Sequence, residues 1–495
     1  MAKPLAAKCP TCGANLPVVP GALQVTCRYC QNVITVQVQK APPNVTPFGM
    51  PGGMPSRTLY VDPAAMAAAQ RAGKISLGVF LVIFALPFII GIGAAVGPCA
   101  MRSCKGAIRP FPISCGVNEE VQVSGTWEGK GPIVASAGVN CKIRIKDSKL
   151  KAPVFIDSSA TNLEVTFENV QIETTETMFR GPTNVKLRAK GSTFVAQGDV
   201  FDLDSSADFT LEDTTVESKT GYAIKTKPNY KLRATASKIR GKKGAVDTSS
   251  SFKLELQKGC ELTSADGPAV RATSGMQARI DGGKIDGAGG AFVTQSSFEL
   301  NGTGVTIASA KDRAIATTSS FKLELTDSTV TSGGDAAIVC DSSSDITLAN
   351  TTVQGTAGIE GSSGVKLKAT KKSRVVATTG IGFAGTSGLE VNLSEASIEG
   401  GTKAIKGTSN VRVKLAPGSR VAAKMGAIET ESSCNVDANG ASIEGGAGAG
   451  ILTTSSPNIA VRSGVLKGNP ALQTSFAYTP DLTGTRVEGA QVVKR

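Results

Sequence analysis

A step of about 23 residues recurs through most of this 495-residue chain and constrains its fold more than any single motif does. At each step one large apolar residue follows a small or flexible one, and a Ser/Thr cluster and an alternating apolar run come next. The first apolar positions are Phe155, Phe179, Phe201, Ile224, Val246, Val270, Phe292, Ile315, Ile338, Ile359, Phe383, Ile405, Ile428 and Ile451. Self-similarity at a fixed period indicates a solenoid, in which each repeat buries its apolar side against its neighbours.

Each repeat has the pattern of three short strands joined by three turns. The middle run, 252–256 or 321–325, alternates Phe and Leu with Lys and Glu, which places the two kinds of side chain on opposite sides of a strand. Turn formers such as Ser319, Ser320 and the Gly-rich segment 287–290 separate the runs. A third run contributes one branched residue per repeat, at Ile172, Val195, Val216, Ile239, Leu262, Ile285, Ile307, Val330, Val353, Ile398, Val421 and Ile443.

Three strands and three turns in about 23 residues describe one coil of a β-helix. Helical repeats fit poorly because the windows lack a 3.6-residue period and are rich in Ser, Thr and Gly. The pattern resembles right-handed parallel β-helix proteins of the pectate-lyase-like class, over roughly residues 107–480. The predicted fold is therefore an all-β, right-handed parallel β-helix solenoid. We expect a cap and first coils in 99–152, regular coils in 153–472, and a C-terminal cap and tail in 473–495.

A stretch without charge, residues 75–97, precedes the solenoid. At ~1.5 Å per residue a helix of this length reaches roughly 34 Å, which is enough to cross a bilayer. The preceding Asp62 and Pro63 suit a helix start, so the sequence predicts one helix over 63–98 that includes a single membrane span. Residues 41–62, rich in Pro, Gly and Met, read as a flexible linker.

The first 40 residues contain two C-x2-C pairs separated by fourteen residues. Four thiolates converging on one point match the tetrahedral coordination of structural Zn²⁺, and the segment resembles a zinc ribbon. The resemblance implies a structural zinc ion held by Cys9, Cys12, Cys27 and Cys30. A dithiol redox pair or two disulfides are the alternatives. The chain has no histidine, which excludes a mixed Cys/His site.

Cysteine chemistry suggests which side of the membrane each part occupies. Zinc thiolates suit a reducing cytoplasm, whereas Cys99, Cys104, Cys115 and Cys141 are spaced for disulfides such as Cys99–Cys104 and Cys115–Cys141. We therefore expect a cytoplasmic ribbon and an extracytoplasmic β-helix. Cys260, Cys340 and Cys434 fall singly in the repeats and are expected to be buried small apolar residues.

Charge is concentrated at the N-terminal end. Residues 1–105 contain nine Lys or Arg and one acid, out of a net charge of +13 for the chain. Attraction to anionic lipid headgroups accounts for this excess most simply. Nucleic-acid binding has no support from clustered Arg and stacking aromatics.

The solenoid has few features of an enzyme. Polysaccharide cleavage needs convergent carboxylates, whereas Asp202, Asp204, Asp281, Asp286 and Glu299 are scattered. Aromatic residues that could stack on sugars make up 5% of the chain. A non-catalytic scaffold or adhesion protein that binds envelope polysaccharide or another protein is expected; the alternative is a membrane-tethered polysaccharide lyase or hydrolase. A candidate ligand-facing strip is formed by Lys186, Arg188, Lys231, Arg233, Lys366, Lys368, Arg412 and Lys414.

The zinc assignment predicts about one zinc ion per chain, because four thiolates make one complete tetrahedral site. Elemental analysis of the purified chain tests this stoichiometry. The double variant Cys9→Ser/Cys27→Ser should lose the metal, since each pair then has one ligand left. A Cys260→Ser variant is the matched control and should keep it. A metal-free chain whose first 40 residues are folded would contradict the assignment.

Overall fold

The computed structural model describes residues 5–8, 15–18, 24–26, 33–35 and 109–493. The chain divides into two units, Met1–Pro98 and Cys99–Arg495. In the first unit, Leu5–Lys8 pairs antiparallel with Asn15–Val18, and Gln24–Thr26 pairs antiparallel with Val33–Thr35.

The second unit is an all-β parallel solenoid of about 16 turns, about 23 residues apart, so the predicted solenoid and its period are confirmed. Each coil passes through three stacks of parallel strands. We name them, in chain order, the anchor face, the middle face and the third face. Because the strands of successive coils pair with each other, the faces run along the solenoid.

The strands fall into these faces as follows. The anchor face contains Ile113–Cys115, Val134–Ala137, Ile156–Asp157, Phe179–Arg180, Phe201–Leu203, Tyr222–Thr226, Phe292–Thr294, Ile315–Thr317, Phe383–Ser387, Ile405–Ser409, Ile428–Thr430, Ile451–Thr453, Leu472–Thr474 and Gln491–Val493. The middle face contains Val185–Lys190, Ala207–Glu212, Tyr230–Thr235, Phe321–Thr326, Glu390–Ser394, Val411–Leu415, Cys434–Asn439 and Pro457–Arg462. The third face contains Thr193–Ala196, Thr215–Ser218, Lys238–Gly241, Glu261–Ser264, Thr329–Ser332, Thr352–Gly355, Arg374–Ala377, Ser397–Gly400, Arg420–Ala423, Ser442–Glu444, Val465–Lys467 and Arg486–Glu488. Longer strands continue through a corner from one face to the next, namely Glu120–Glu128, Lys142–Ala152, Glu164–Thr174, Gly244–Gln257, Val270–Gly287, Phe298–Ser309, Ile338–Ala349 and Ile359–Thr370.

The predicted anchor positions form one continuous register from Phe179 to Ile451. The first position was wrong, because Phe179 pairs with Ile156 and not with Phe155. Both residues are fully buried, and both of their amides donate to the carbonyl of Met178. The chain therefore enters the strand one residue later than the apolar pattern indicates.

The inward row of the third face differs from the predicted row at two positions. Phe194 occupies the inward position predicted for Val195, since it pairs with Ile172 on one side and Val216 on the other. Strand alternation then places Val195 outward, where it is half-buried. Val375 also belongs to the row, because it pairs with Val353.

Inward side chains of all three faces form one continuous apolar core. Aromatic rings stack on each other along the solenoid, with ring centroids 4.6 Å apart for Phe155 and Phe179 and 4.9 Å apart for Phe179 and Phe201. The predicted buried cysteines Cys260, Cys340 and Cys434 are confirmed as core residues.

The corner between the anchor and middle faces is held by a ladder of asparagines. Asn118, Asn140, Asn162 and Asn184 have positive φ angles of 53–57°, a conformation that Asn tolerates better than most residues. The side-chain amides of Asn140, Asn162 and Asn184 each donate to the asparagine oxygen one coil earlier, at 2.7, 2.9 and 3.1 Å. Stacking thus satisfies polar groups that the turn leaves outside the strand ladders.

The corner between the middle and third faces uses buried hydroxyls for the same purpose. The Ser328, Thr351 and Ser373 side chains are almost fully buried. The backbone amides of Val305, Ser328 and Thr351 each donate to the hydroxyl one coil later, at 3.2–3.3 Å. The same hydroxyls donate to carbonyls of their own coil. These Ser and Thr residues are structural.

Both ends of the core are covered by aromatic residues. At the first coil, Phe111 lies 6.0 Å from Trp127 between ring centroids, and both pack on the core. At the other end, the Tyr478 hydroxyl accepts a hydrogen bond from the Ile459 amide at 2.6 Å. Arg486–Glu488 and Gln491–Val493 still pair in parallel with the preceding coil. The segment predicted as C-terminal cap and tail therefore keeps two strands of a coil, with Tyr478 against the edge of the last middle strand.

Tyr230 provides a test of the core. It is fully buried between aromatic rings, 5.2 Å from Phe252, and its hydroxyl has no hydrogen-bond partner among the described residues. An unpaired buried hydroxyl costs about 1–3 kcal/mol. Tyr230→Phe should therefore raise the midpoint of thermal unfolding, measured by circular dichroism. The matched reverse change, Phe252→Tyr, should lower it; a destabilised Tyr230→Phe chain would contradict this account of the core.

Candidate functional site

The outward side of the middle face carries charged rows that run the length of the solenoid. In the first row, acids and bases alternate from one coil to the next over fourteen successive coils, with two exceptions. Its members are Glu120, Lys142, Glu164, Lys186, Asp208, Lys231, Lys253, Gln277, Glu299, Lys322, Asp345, Lys366, Glu390 and Arg412.

Parallel stacking explains the alternation. Residues in one row lie about 4.8 Å apart along the stack, so two like charges in successive coils would repel each other. With alternating signs, neighbours form ion pairs: Lys186 lies 3.4 Å from Glu164, and Lys366 lies 3.9 Å from Asp345. Each exposed pair is worth little, about 0–1 kcal/mol. The row contains four such pairs, Lys142–Glu164, Lys186–Glu164, Lys322–Glu299 and Lys366–Asp345.

The eight residues of the predicted ligand-facing strip all lie outward on the middle face. Lys186, Lys231, Lys366 and Arg412 belong to the first row. Arg188, Arg233, Lys368 and Lys414 belong to a second row, two residues further along each strand. Acidic or uncharged coils separate most of these cationic coils. The structure therefore places the residues on one face without joining all of them into a continuous cationic strip.

The alternation fails at one place, and a shallow groove of about 310 Å³ lies there. Lys253 stands where the pattern would have an acid, and Gln277 where it would have a base. The groove is lined by Lys253, Leu254, Glu255, Gln277, Ala278, Arg279, Glu299 and Asn301. This is the candidate functional site, because a local rule that holds elsewhere is broken where the surface is concave.

The groove contains two cationic side chains, those of Lys253 and Arg279. Glu255 already pairs with Lys231 at 3.3 Å and with Arg233 at 3.4 Å. Within 109–491, no carboxylate oxygen lies within 4.0 Å of the side-chain nitrogens of Lys253 or Arg279. Their charges, with the side-chain amides of Gln277 and Asn301, suit recognition of anionic and hydroxyl or amide groups.

A second charged row lies outward on the anchor face. Asp157, Arg180, Asp202, Lys225, Asp247 and Arg271 follow one another coil by coil. Lys225 pairs with Asp202 at 3.2 Å, and Arg180 pairs with Asp157 at 3.3 Å. Burial raises the pKa of Asp247 above its ordinary value, although Arg271 and Tyr222 oppose the shift. Burial, followed by the Asp247 charge, also raises the pKa of Tyr222.

The carboxylates considered for catalysis do not converge. Asp204 pairs with Lys227 at 2.7 Å, Asp286 with Lys284 at 2.7 Å, and Glu299 with Lys322 at 3.8 Å. Asp202 pairs with Lys225 on the anchor face, whereas Asp281 lies on the middle face. Among the described side chains, no group of three or more His, Cys, Asp or Glu could hold a metal ion.

The cysteines fall into three groups. Cys115 and Cys141 form a disulfide across the first coils, with Cα atoms 6.0 Å apart. Burial raises the pKa of the Cys340 and Cys434 thiols to about 11, so both are protonated at neutral pH. Cys99, Cys104 and the four predicted zinc ligands lie outside the described residues.

The predicted linker 41–62 and helix 63–98 also lie outside the described residues. Where the structure is described, no helix has the length and apolarity of a membrane span.

Sequence reasoning missed Gln277, Arg279 and Asn301, which the structure places in the groove. They do not belong to a cationic motif, so a search for Lys and Arg pairs passes over them. Aligning the middle strands coil by coil would have exposed the alternation, and with it the break at Lys253 and Gln277.

No protein-family model, curated protein or solved structure matches the chain. The functional assignment therefore depends on the geometry of the chain itself.

The alternation predicts opposite effects for two charge reversals on the first row. Lys253→Glu restores the pattern beside Lys231 and should stabilise the solenoid by about 0.5 kcal/mol. Lys186→Glu places three acids in succession, between Glu164 and Asp208, and should destabilise it by a similar amount. Thermal unfolding at low salt measures both effects.

High salt provides the control, because ions at about 1 M screen charges beyond roughly 3 Å and should largely remove both differences. Equal effects of the two reversals at low salt would show that alternation does not stabilise the stack.

Proposed function

We propose that the chain is a membrane-anchored, non-catalytic β-solenoid scaffold with a structural zinc ribbon, acting in binding or adhesion through the middle face. The supporting observation is the charged surface of the middle face. Acids and bases alternate from coil to coil along its first row, and the candidate groove contains the cations Lys253 and Arg279. Such a surface suits recognition by charge complementarity.

The zinc ribbon is supported by the strands of the first unit. Cys9 and Cys12 fall in the sequence between the paired strands Leu5–Lys8 and Asn15–Val18. Cys27 and Cys30 fall between Gln24–Thr26 and Val33–Thr35. Each C-x2-C pair thus connects two antiparallel strands, as a zinc ribbon requires. Zn²⁺ bound by these four cysteines would have all of its positions filled and would stabilise the fold.

The membrane anchor and its orientation are supported by sequence and by cysteine chemistry. Residues 75–97 have the length and apolarity of a single span. The Cys115–Cys141 disulfide is buried in the first coils, and structural disulfides persist in oxidising compartments. The solenoid is therefore assigned to the extracytoplasmic side and the ribbon to the cytoplasm.

The alternative is a membrane-tethered polysaccharide lyase or hydrolase. Tyr222 and Asp247 favour it, since two interacting groups with raised pKa values are common at active sites. Against an enzyme, Asp247 occupies an ordinary position in the charged row of the anchor face, where acids and bases alternate. Its neighbours in that row are Lys225, which pairs with Asp202, and Arg271. Activity on a panel of acidic polysaccharides separates the two functions. Cleavage that Asp202→Asn or Asp281→Asn abolishes would establish the enzyme and refute the scaffold.

Cysteine labelling in intact cells tests the anchored arrangement. Arg374 is exposed on the third face, so Arg374→Cys should react with a membrane-impermeant maleimide without permeabilisation. Ser56→Cys, in the predicted linker, should react only after permeabilisation. Both variants should remain in the membrane fraction after a high-salt wash. The reverse labelling pattern would overturn the orientation, and release by salt would overturn the anchor.

A further inference from the structure

The charge pattern of the middle face is complementary to itself under a two-fold rotation. The rotation axis runs parallel to the strands and lies between the coils of Lys253 and Gln277. A second copy generated by this rotation runs in the opposite direction along the solenoid. Each outward row of the middle face then lies against the same row of the second copy. Six charged pairs then meet on each side of the axis, all of opposite sign. They are Glu120 with Arg412, Lys142 with Glu390, Glu164 with Lys366, Lys186 with Asp345, Asp208 with Lys322, and Lys231 with Glu299.

We propose that the partner of the middle face is a second copy of this chain, bound antiparallel in this register. This proposal rests on the proposed binding function of the middle face, and it names the partner that the face binds. A two-fold interface of this kind is closed, because the same patch is used on both copies.

The other outward rows fit the same arrangement. In the second row the central residues Glu255 and Arg279 face each other across the axis, and every other charged residue faces an uncharged one. That row contains Gln122, Arg144, Thr166, Arg188, Thr210, Arg233, Glu255, Arg279, Asn301, Glu324, Thr347, Lys368, Asn392 and Lys414. The third row, Lys146 to Ser394, likewise brings no two like charges together.

The break in the alternation selects the register. A strictly alternating row would pair equally well after a slip of two coils in either direction. With Lys253 in place of an acid, one slip brings Lys231 against Lys253, and the other brings Lys253 against Lys322. In the proposed register Lys253 meets the uncharged Gln277. The anomaly thus disfavours the competing arrangements, as repulsive contacts do in specific interfaces.

The face is large enough for a stable dimer. Fourteen coils about 4.8 Å apart and strands of about six residues give a face on the order of 65 by 20 Å, or roughly 1,300 Å². Stable interfaces bury about 800 Å² on each partner. Because the contacts are mainly exposed ion pairs, the dimer should be sensitive to salt.

Sedimentation of the full chain in detergent micelles at low salt tests the dimer. The wild-type chain should dimerise, and high salt should return it to monomer. Gln277 is exposed, so it can be replaced by Glu or by Lys, which are of similar size and opposite charge, without disturbing the core. Gln277→Glu faces Lys253 of the second copy and should tighten the dimer about tenfold; Gln277→Lys should weaken it about tenfold. A chain that is monomeric at all concentrations, or a dimer indifferent to both changes, refutes the proposal.

Cross-linking tests the register. Lys186 and Asp345 lie seven coils apart in one chain, roughly 34 Å, but face each other between copies. A short bis-maleimide should therefore join Lys186→Cys/Asp345→Cys chains into dimers, with the two peptides identified by mass spectrometry. Lys186→Cys/Arg412→Cys, three coils out of register, is the control and should not cross-link. Equal cross-linking of both variants refutes the register.

Other occupants of the face give different results. A monomeric chain that binds an acidic polysaccharide or another protein, and loses that binding in a Lys253→Ala/Arg279→Ala variant, refutes the dimer. It would leave the anchored scaffold intact, because membrane attachment and labelling do not depend on self-association.

Discussion

The structure depends on one constraint: parallel in-register stacking brings residues one coil apart to about 4.8 Å from each other. The side chain at each position of a coil therefore contacts the side chain at the same position of the next coil. Inward rows gain from repetition, as the stacked rings of Tyr230 on Phe252 and of Phe298 on Phe321 show. Corner rows gain as well, because asparagine side chains hydrogen-bond from coil to coil. Outward charged rows would be destabilised by repetition of one sign. The first row of the middle face and the charged row of the anchor face alternate in sign, whereas the second row of the middle face separates most of its cations by uncharged residues.

The same constraint shapes what the surface can recognise. Because the signs alternate along the first row of the middle face, the specificity of that row lies in the order of signs along the stack. The break at Lys253 and Gln277 is then informative in two ways. It leaves cations unpaired in a groove, and it distinguishes one register of self-association from its neighbours. The first row of the middle face therefore contributes both to the stability of one chain and to the register in which two chains pair.

Much of the fold could be predicted because burial of one apolar residue per coil leaves a clear period. The anchor register from Phe179 to Ile451 follows from that period alone. Phe155 and Val195 were misplaced because an apolar neighbour stands beside the true inward residue, and apolarity cannot tell adjacent positions apart. The site was harder to predict. Lys186 and Lys231 were found as cations, but their acidic neighbours matter only after the chain is stacked.

Distances along the stack test the central claim most directly. Lys238 and Arg374 occupy one outward row of the third face, six coils apart, and Arg420 lies two coils further. Pulsed electron paramagnetic resonance between spin labels on Lys238→Cys/Arg374→Cys and on Lys238→Cys/Arg420→Cys should give mean distances of roughly 29 and 38 Å. A difference of about 10 Å supports in-register stacking. Distances that do not grow by about 4.8 Å per coil would contradict it.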